Sequence, residues 1–137
     1  MRTFFAIVFV LTIFSSAIET VGSEEVSFQD LPPVVVQTIP KSGAIGVDPS
    51  LSEIRVRFSK EMRPRTWAII EAPPAAYPDH VGDVEYLSGK KTWVIEVKLS
   101  PGKTYGIWLN QWDGISEFKD LAGRLAVPYL LLFETKK

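Results

Sequence analysis

The chain contains no cysteine and a single histidine, His80, among 137 residues. Without cysteine there is no disulfide framework, no thiolate metal site and no cysteine for lipid attachment. A zinc centre takes three or four protein ligands, and one histidine with no cysteine does not supply them. No G-x-S-x-G elbow is present to hold a nucleophile beside His80. That residue, in Pro78-Asp79-His80-Val81-Gly82, reads as a solvated loop histidine. Charge of one sign is not in excess: 15 Lys and Arg stand against 16 Asp and Glu. This balance lacks the basic surplus of a nucleic-acid binder and the polybasic cluster of a membrane-surface protein. No stretch sustains an apolar period of 3.6 over the length of a helix. The longest apolar run covers residues 4–14, is broken at Thr12, and is too short for the ~20 residues that a membrane-crossing helix needs.

That run follows Arg2 and precedes Ser15-Ser16-Ala17, which places small residues at the −3 and −1 positions of a cleavage site. Residues 1–17 therefore read as a secretory signal. Its removal takes away one cation, Arg2, and leaves 14 Lys and Arg against 16 Asp and Glu, a formal net charge of −2. The mature chain is expected to carry no membrane span and to lie outside the cytoplasm, secreted or in the periplasm or cell envelope. Residues 18–32, with Glu19, Glu24, Glu25 and Asp30 and no sustained period, read as a linker. Residues 33–137 have the length of one immunoglobulin-sized domain, ~100 residues.

The patterning of that domain is that of short strands. Val34-Val35-Val36-Gln37-Thr38 is β-branched and stops at Pro40. Residues 41–50 hold Gly43, Gly46 and Pro49 and read as a long turn. In Ile54-Arg55-Val56-Arg57-Phe58 apolar and charged residues alternate, as in a strand with one buried and one wet face. Residues 66–70 are a third strand candidate, and Pro73, Pro74 and Pro78 exclude the next stretch from any central strand or helix interior. Residues 84–87, a Ser88-Gly89-Lys90-Lys91 turn, and the stretch from Trp93 read as a hairpin. Trp67 and Trp93 are assigned to the core. After Leu99-Ser100-Pro101-Gly102, Tyr105 opens a strand, and such a tyrosine bonds back to the corner backbone in sandwiches. A long polar connection, 111–124, leads to a last strand over 128–135. About seven strands separated by turn signals predict an all-β, immunoglobulin-like β-sandwich.

The motif P-x-x-G-A-x-x-V … I-x-V-x-F-S-x-x-M, from Pro40 to Met62, resembles the opening of bacterial Ig-like domains of the SbsA/Big_5 type. So do the L-x-P-G-x-x-Y corner, Asp120-Leu121-Ala122-Gly123, and Phe133-x-Thr135. The match covers residues 33–135. Many members carry Asn where this chain has Arg124. The resemblance implies a sandwich that serves as an accessory or spacer module of exported and surface-layer proteins, so it implies architecture more than chemistry. The opening is also similar to that of CopC-type sandwiches. Their copper-binding histidines have no counterparts here, and only the shared fold is carried over.

Acidic residues offer little. Asp113, Glu117 and Asp120 match no calcium loop and read as a solvated surface. Nothing fixes Glu71 and Asp79 at the separation a glycosidase pair requires. No catalytic residue, metal ligand or cofactor site is assigned. The ligand or partner contacts are placed at Trp108, Asn110 and Trp112, because alternation points Trp108 and Asn110 outward. Two readings of that face stand: the tryptophans are open to a sugar or a protein partner, or the 111–124 loop folds over them as a satellite cluster. The expected function is a non-catalytic module with a structural or protein-contact role at the cell envelope. The alternative is a small carbohydrate- or peptide-binding protein that uses the tryptophan face, so the partner is a protein or a glycan. Amino-terminal sequencing of the secreted protein should begin near Ile18, and a start at Met1 on membrane-retained protein would refute cleavage.

Overall fold

The computed structural model describes residues 17–19 and 21–137; the expected signal falls, except for Ala17, outside them. Among the described residues one 3₁₀ turn, Phe28–Asp30, is capped by Ser27. Eight strands follow: β1 (Val35–Ile39), β2 (Ala44–Val47), β3 (Glu53–Phe58), β4 (Ile69–Glu71), β5 (Asp79–Tyr86), β6 (Thr92–Lys98), β7 (Thr104–Leu109) and β8 (Tyr129–Thr135). They form two four-stranded sheets, in the orders β1-β3-β6-β5 and β2-β8-β7-β4. This is the A-B-E-D and C-F-G arrangement of an immunoglobulin-like sandwich, with β2 added beside β8. No helix among the described residues is long and apolar enough to cross a membrane.

The alternation read in β3 is realised: Ile54, Val56 and Phe58 are buried and Arg55 and Arg57 are in solvent. Its antiparallel neighbour β6 sets Trp93 opposite Val56 and Ile95 opposite Ile54. The second sheet answers with Tyr105, Ile107 and Leu109 from β7 and Leu131 and Phe133 from β8. Each such side chain, fully buried, contributes roughly 1.5–3 kcal/mol. Phe118 enters the core from the long connection. Its ring centroid lies 5.2 Å from that of Phe58 and 5.2 Å from that of Trp93, edge-on to the latter.

Three polar devices fix the ends of the sandwich. Tyr105 makes the expected corner: it is 3% exposed, stacks on Phe133, and its hydroxyl accepts the Ser100 amide at 2.8 Å. Asn110 is fully buried, and its amide nitrogen donates to the carbonyls of Phe118 and Ala126, both at 3.0 Å. Its amide oxygen accepts the Glu117 and Phe118 amides, again at 3.0 Å. Lys60 and Asp120, both buried, pair at 2.8 Å. The Lys60 ammonium also donates to the carbonyls of Gln29 and Leu31. Arg124, the departure from the family pattern, donates to the Gln29 carbonyl at 3.1 Å. The stretch read as a linker is thus fastened to the domain from Gln29 onward.

The structure corrects the sequence reading at several elements. The turn over 41–50 contains β2, a parallel partner of β8. Gly43 and Gly46 take φ of 85° and 76°, so the backbone steps between sheets and shows no period-two pattern. The stretch read as a loop around His80 is the first half of β5. That strand is an edge, paired with β6 alone and bulged between His80 and Val84, and therefore needs no apolar alternation. β4 begins only at Ile69, which leaves Trp67 outside the strand and 37% exposed instead of in the core. Asp120 is not part of a solvated surface.

Urea unfolding should order the anchoring residues. Phe58→Ala empties a core position and should cost about 3–5 kcal/mol. Tyr105→Phe removes one hydrogen bond and should cost about 0.5–1.5 kcal/mol. Asn110→Ala strands two carbonyls and two amides and should cost about 3 kcal/mol or more. A loss below 1 kcal/mol for Asn110→Ala would show that the loop is held by something else.

A second test is pH. Burial alone raises the Asp120 carboxyl, but the Lys60 hydrogen bond, the Arg124 amide and the two cations outweigh it and hold it below its ordinary 3.8. A carboxyl held low in the fold stabilises it above the unfolded pKa and loses that contribution as pH falls through the folded value. Stability should therefore decline from about pH 4 downward. Asp120→Asn should be less stable at neutral pH, by about 3–5 kcal/mol, yet decline less with acid. Parallel acid slopes for the two proteins would remove Asp120 as the titrating group.

Candidate functional site

The three residues chosen from the sequence do not form one site. Asn110, the first residue after β7, takes a left-handed φ of 61°, so the alternation that pointed it outward stops at Leu109. All four of its side-chain hydrogen-bonding positions are used by the loop, and nothing is left for a ligand. That corrects its assignment as a contact residue. Trp112 sits on the loop and is 77% exposed. Trp108 does lie on the outer face of β7, as alternation required. It is half-buried, and what flanks it is the segment 72–75 together with Leu130 and Leu132, not the 111–124 loop.

This outer face is apolar for a strand-periodic reason. On β7 and β8 the inward positions are taken by core residues, and the outward ones are Thr104, Gly106 and Trp108, and Leu130, Leu132 and Glu134, with Trp108 directly opposite Leu130 and the two polar residues paired at the far end. The absence of a side chain at Gly106 lets the neighbouring segment settle on the sheet. A Cβ there would lie 2.7 Å from Leu132 Cδ2 and 2.8 Å from the Ala75 methyl. Pro73 and Pro74 keep this segment from adding a strand. A groove of about 600 Å³ remains, walled by Pro73, Pro74, Trp108, Leu130 and Leu132.

A second aromatic cleft, about 380 Å³, was not legible as a site in the sequence. Trp67 forms one wall and Trp93 underlies it, with ring centroids 6.0 Å apart. Tyr86 closes the cleft and donates its hydroxyl to the Thr66 carbonyl at 2.7 Å. Burial raises the Tyr86 phenol far above its ordinary value, although the bond to Thr66 acts the other way, and it remains a neutral donor. Arg65, Lys90 and Glu85 stand on the rim. Arg65 and Lys90 take left-handed φ values of 62° and 57°, a conformation that costs a non-glycine residue roughly 1–2 kcal/mol. The indole N–H of Trp93 is the one buried side-chain polar atom without a partner among the described residues. In the sequence Thr66 and Trp67 read only as the start of a strand, and their pairing with Tyr86 and Lys90 depends on a hairpin that is remote along the chain.

The titratable residues do not converge. His80 and Asp79 lie exposed on β5, and Asp113 and Glu117 are exposed in the long connection. Asp120 is committed to Lys60. Among the described residues no three His, Asp or Glu side chains gather in a set able to hold a metal ion.

Two solved structures share the fold. CopC from Methylosinus trichosporium OB3b has a similar structure, with a TM-score of 0.56 and 14% identity over 76% of this chain and 93% of that one. The S-layer protein rSbsC(31-844) contains a similar sandwich, with a TM-score of 0.50 and 21% identity over 80% of this chain. This chain spans only 14% of that protein. At such identities the likeness is one of fold. No curated protein sequence matches. The family model of Big_5, the bacterial Ig-like domain, matches residues 29–135, from the arm clasped by Lys60 to the end of β8, and the chain belongs to that family.

Proposed function

We propose that this chain is an exported, non-catalytic Ig-like module with a structural or protein-contact role at the cell envelope. The observation that carries the reading is the apolar outer face of the second sheet around Trp108. A sandwich that needs only to fold covers its outward strand positions with polar residues. Here Trp108, Leu130 and Leu132 occupy three of them in neighbouring strands, beside a proline-stiffened wall. Ile45, on the adjoining β2, is 81% exposed. Aromatic anchors in apolar grooves carry much of the energy of protein interfaces. The family supports a module of this kind. The occurrence of a similar sandwich in an S-layer protein fits an envelope setting, as does the amino-terminal pattern of residues 1–17.

The test is affinity capture from an envelope fraction with the full chain, run beside Trp108→Ala and Trp112→Ala. Wild type and Trp112→Ala should capture the same protein. Trp108→Ala should reduce that capture about tenfold or more, while its urea midpoint shows a loss of only about 1–2 kcal/mol, as befits a half-buried ring. Undiminished capture by Trp108→Ala would remove this face as the contact.

A further inference from the structure

We propose that the cleft beside Trp67 is a binding site for a carboxylate-bearing saccharide. It is independent of the Trp108 face, since the two share no lining residue. Trp67 offers a flat, partly exposed indole, a surface suited to the C–H face of a pyranose ring. Two cations, Arg65 and Lys90, and one carboxylate, Glu85, flank it, so the rim carries a positive excess. A neutral sugar would leave those cations unused. A small inorganic anion would leave the indole unused. A uronic acid engages both, its ring on Trp67 and its carboxylate on the guanidinium or the ammonium.

The walls are held in advance of any ligand. Tyr86 is tied to the Thr66 carbonyl at 2.7 Å, and Thr66 to the Arg63 carbonyl at 2.6 Å. The Met62 amide donates to the Lys90 carbonyl at 2.8 Å, which joins the two sides of the rim. Preorganised walls lower the ordering cost of binding. Both rim cations sit on left-handed backbone at tight turns, Arg65 after Pro64 and Lys90 after Gly89, where glycine would be the undemanding residue.

The experiment is a tryptophan-fluorescence titration of the full chain with a galacturonic acid tetramer, beside a neutral glucose tetramer and a glutamate-rich peptide. The acidic tetramer should bind, and added salt should weaken it. Trp67→Ala should weaken it about tenfold or more. Arg65→Gly and Lys90→Gly relieve the left-handed backbone instead of straining it, so they should stay folded and each lose affinity several-fold. These two variants carry the test if Trp67→Ala loses its circular-dichroism signature. Trp108→Ala should bind the acidic tetramer as wild type does, which separates this site from the protein-contact face. No binding of the acidic tetramer would overturn the proposal. So would equal affinity for the neutral tetramer, tighter binding of the peptide, or unchanged affinity in both glycine variants.

Discussion

The structure turns on one side-chain amide. Asn110 directly follows β7, and 18 residues, 111–128, separate it from the start of β8 at Tyr129. The backbone of this connection has only isolated bridges, Met62–Asp120 and Lys119–Leu125, and no full strand ladder to satisfy it. Asn110 supplies four hydrogen bonds from one buried group, two given and two received. They reach Glu117, Phe118 and Ala126, so both arms of the connection are drawn to the end of the same strand. Phe118 is thereby driven between the sheets, against Phe58 and Trp93. An amide with every position paired is among the most economical ways to bury polar atoms, and one left half-paired among the most costly. The left-handed φ of Asn110 is tolerated because asparagine enters that region more readily than other non-glycine residues.

The same loop closes the other polar device. Asp120, two residues beyond Phe118, turns back to accept the Arg124 amide at 2.8 Å and to meet Lys60. Lys60 has carried its charge inward at the end of β3. With two carbonyls of the amino-terminal arm and one carboxylate around it, the ammonium is surrounded by acceptors. A buried ion pair is weak evidence of net stability by itself, because desolvation offsets most of the attraction. Its effect here is positional: it fixes where the arm meets the domain. The exposed edges are managed differently. β5 carries Asp79, Asp83 and Glu85 and is bulged, and β1 is bulged near Val36 and stops at Pro40. Such features disfavour edge-to-edge pairing with another chain.

Against this frame the aromatic residues divide by place. Trp93, Phe118, Phe58 and Tyr105 hold the two sheets together. Trp108 and Trp67 lie at the border between core and solvent, one over the outer face of the second sheet and the other beside the β5–β6 hairpin. A large indole rarely disappears completely into a core, and these two put their remaining surface where apolar or charged neighbours collect around it.

How much was legible in the sequence depended on whether the signal was local. Period two in Ile54-Arg55-Val56-Arg57-Phe58, the proline and glycine stops, and the Leu99–Tyr105 corner are properties of neighbouring residues. They gave the all-β class, most of the strands, the buried tyrosine and the family. The strand β2 was hidden because two glycines and a sheet crossing erase alternation. The first half of β5 was hidden because an edge strand needs none. Alternation was carried one residue too far at Asn110, where a positive φ reverses the expected direction. Trp108 was placed on the right face but with the wrong cover, because the segment 72–75 is remote in sequence and reaches it only through the absent side chain of Gly106. The Trp67 cleft joins residues 64–67 to 84–93 across a tertiary contact. Local sequence determined which residues alternate and where the chain turns; only the packing of distant segments decided which polar groups are consumed in holding the fold and which aromatic surfaces remain open.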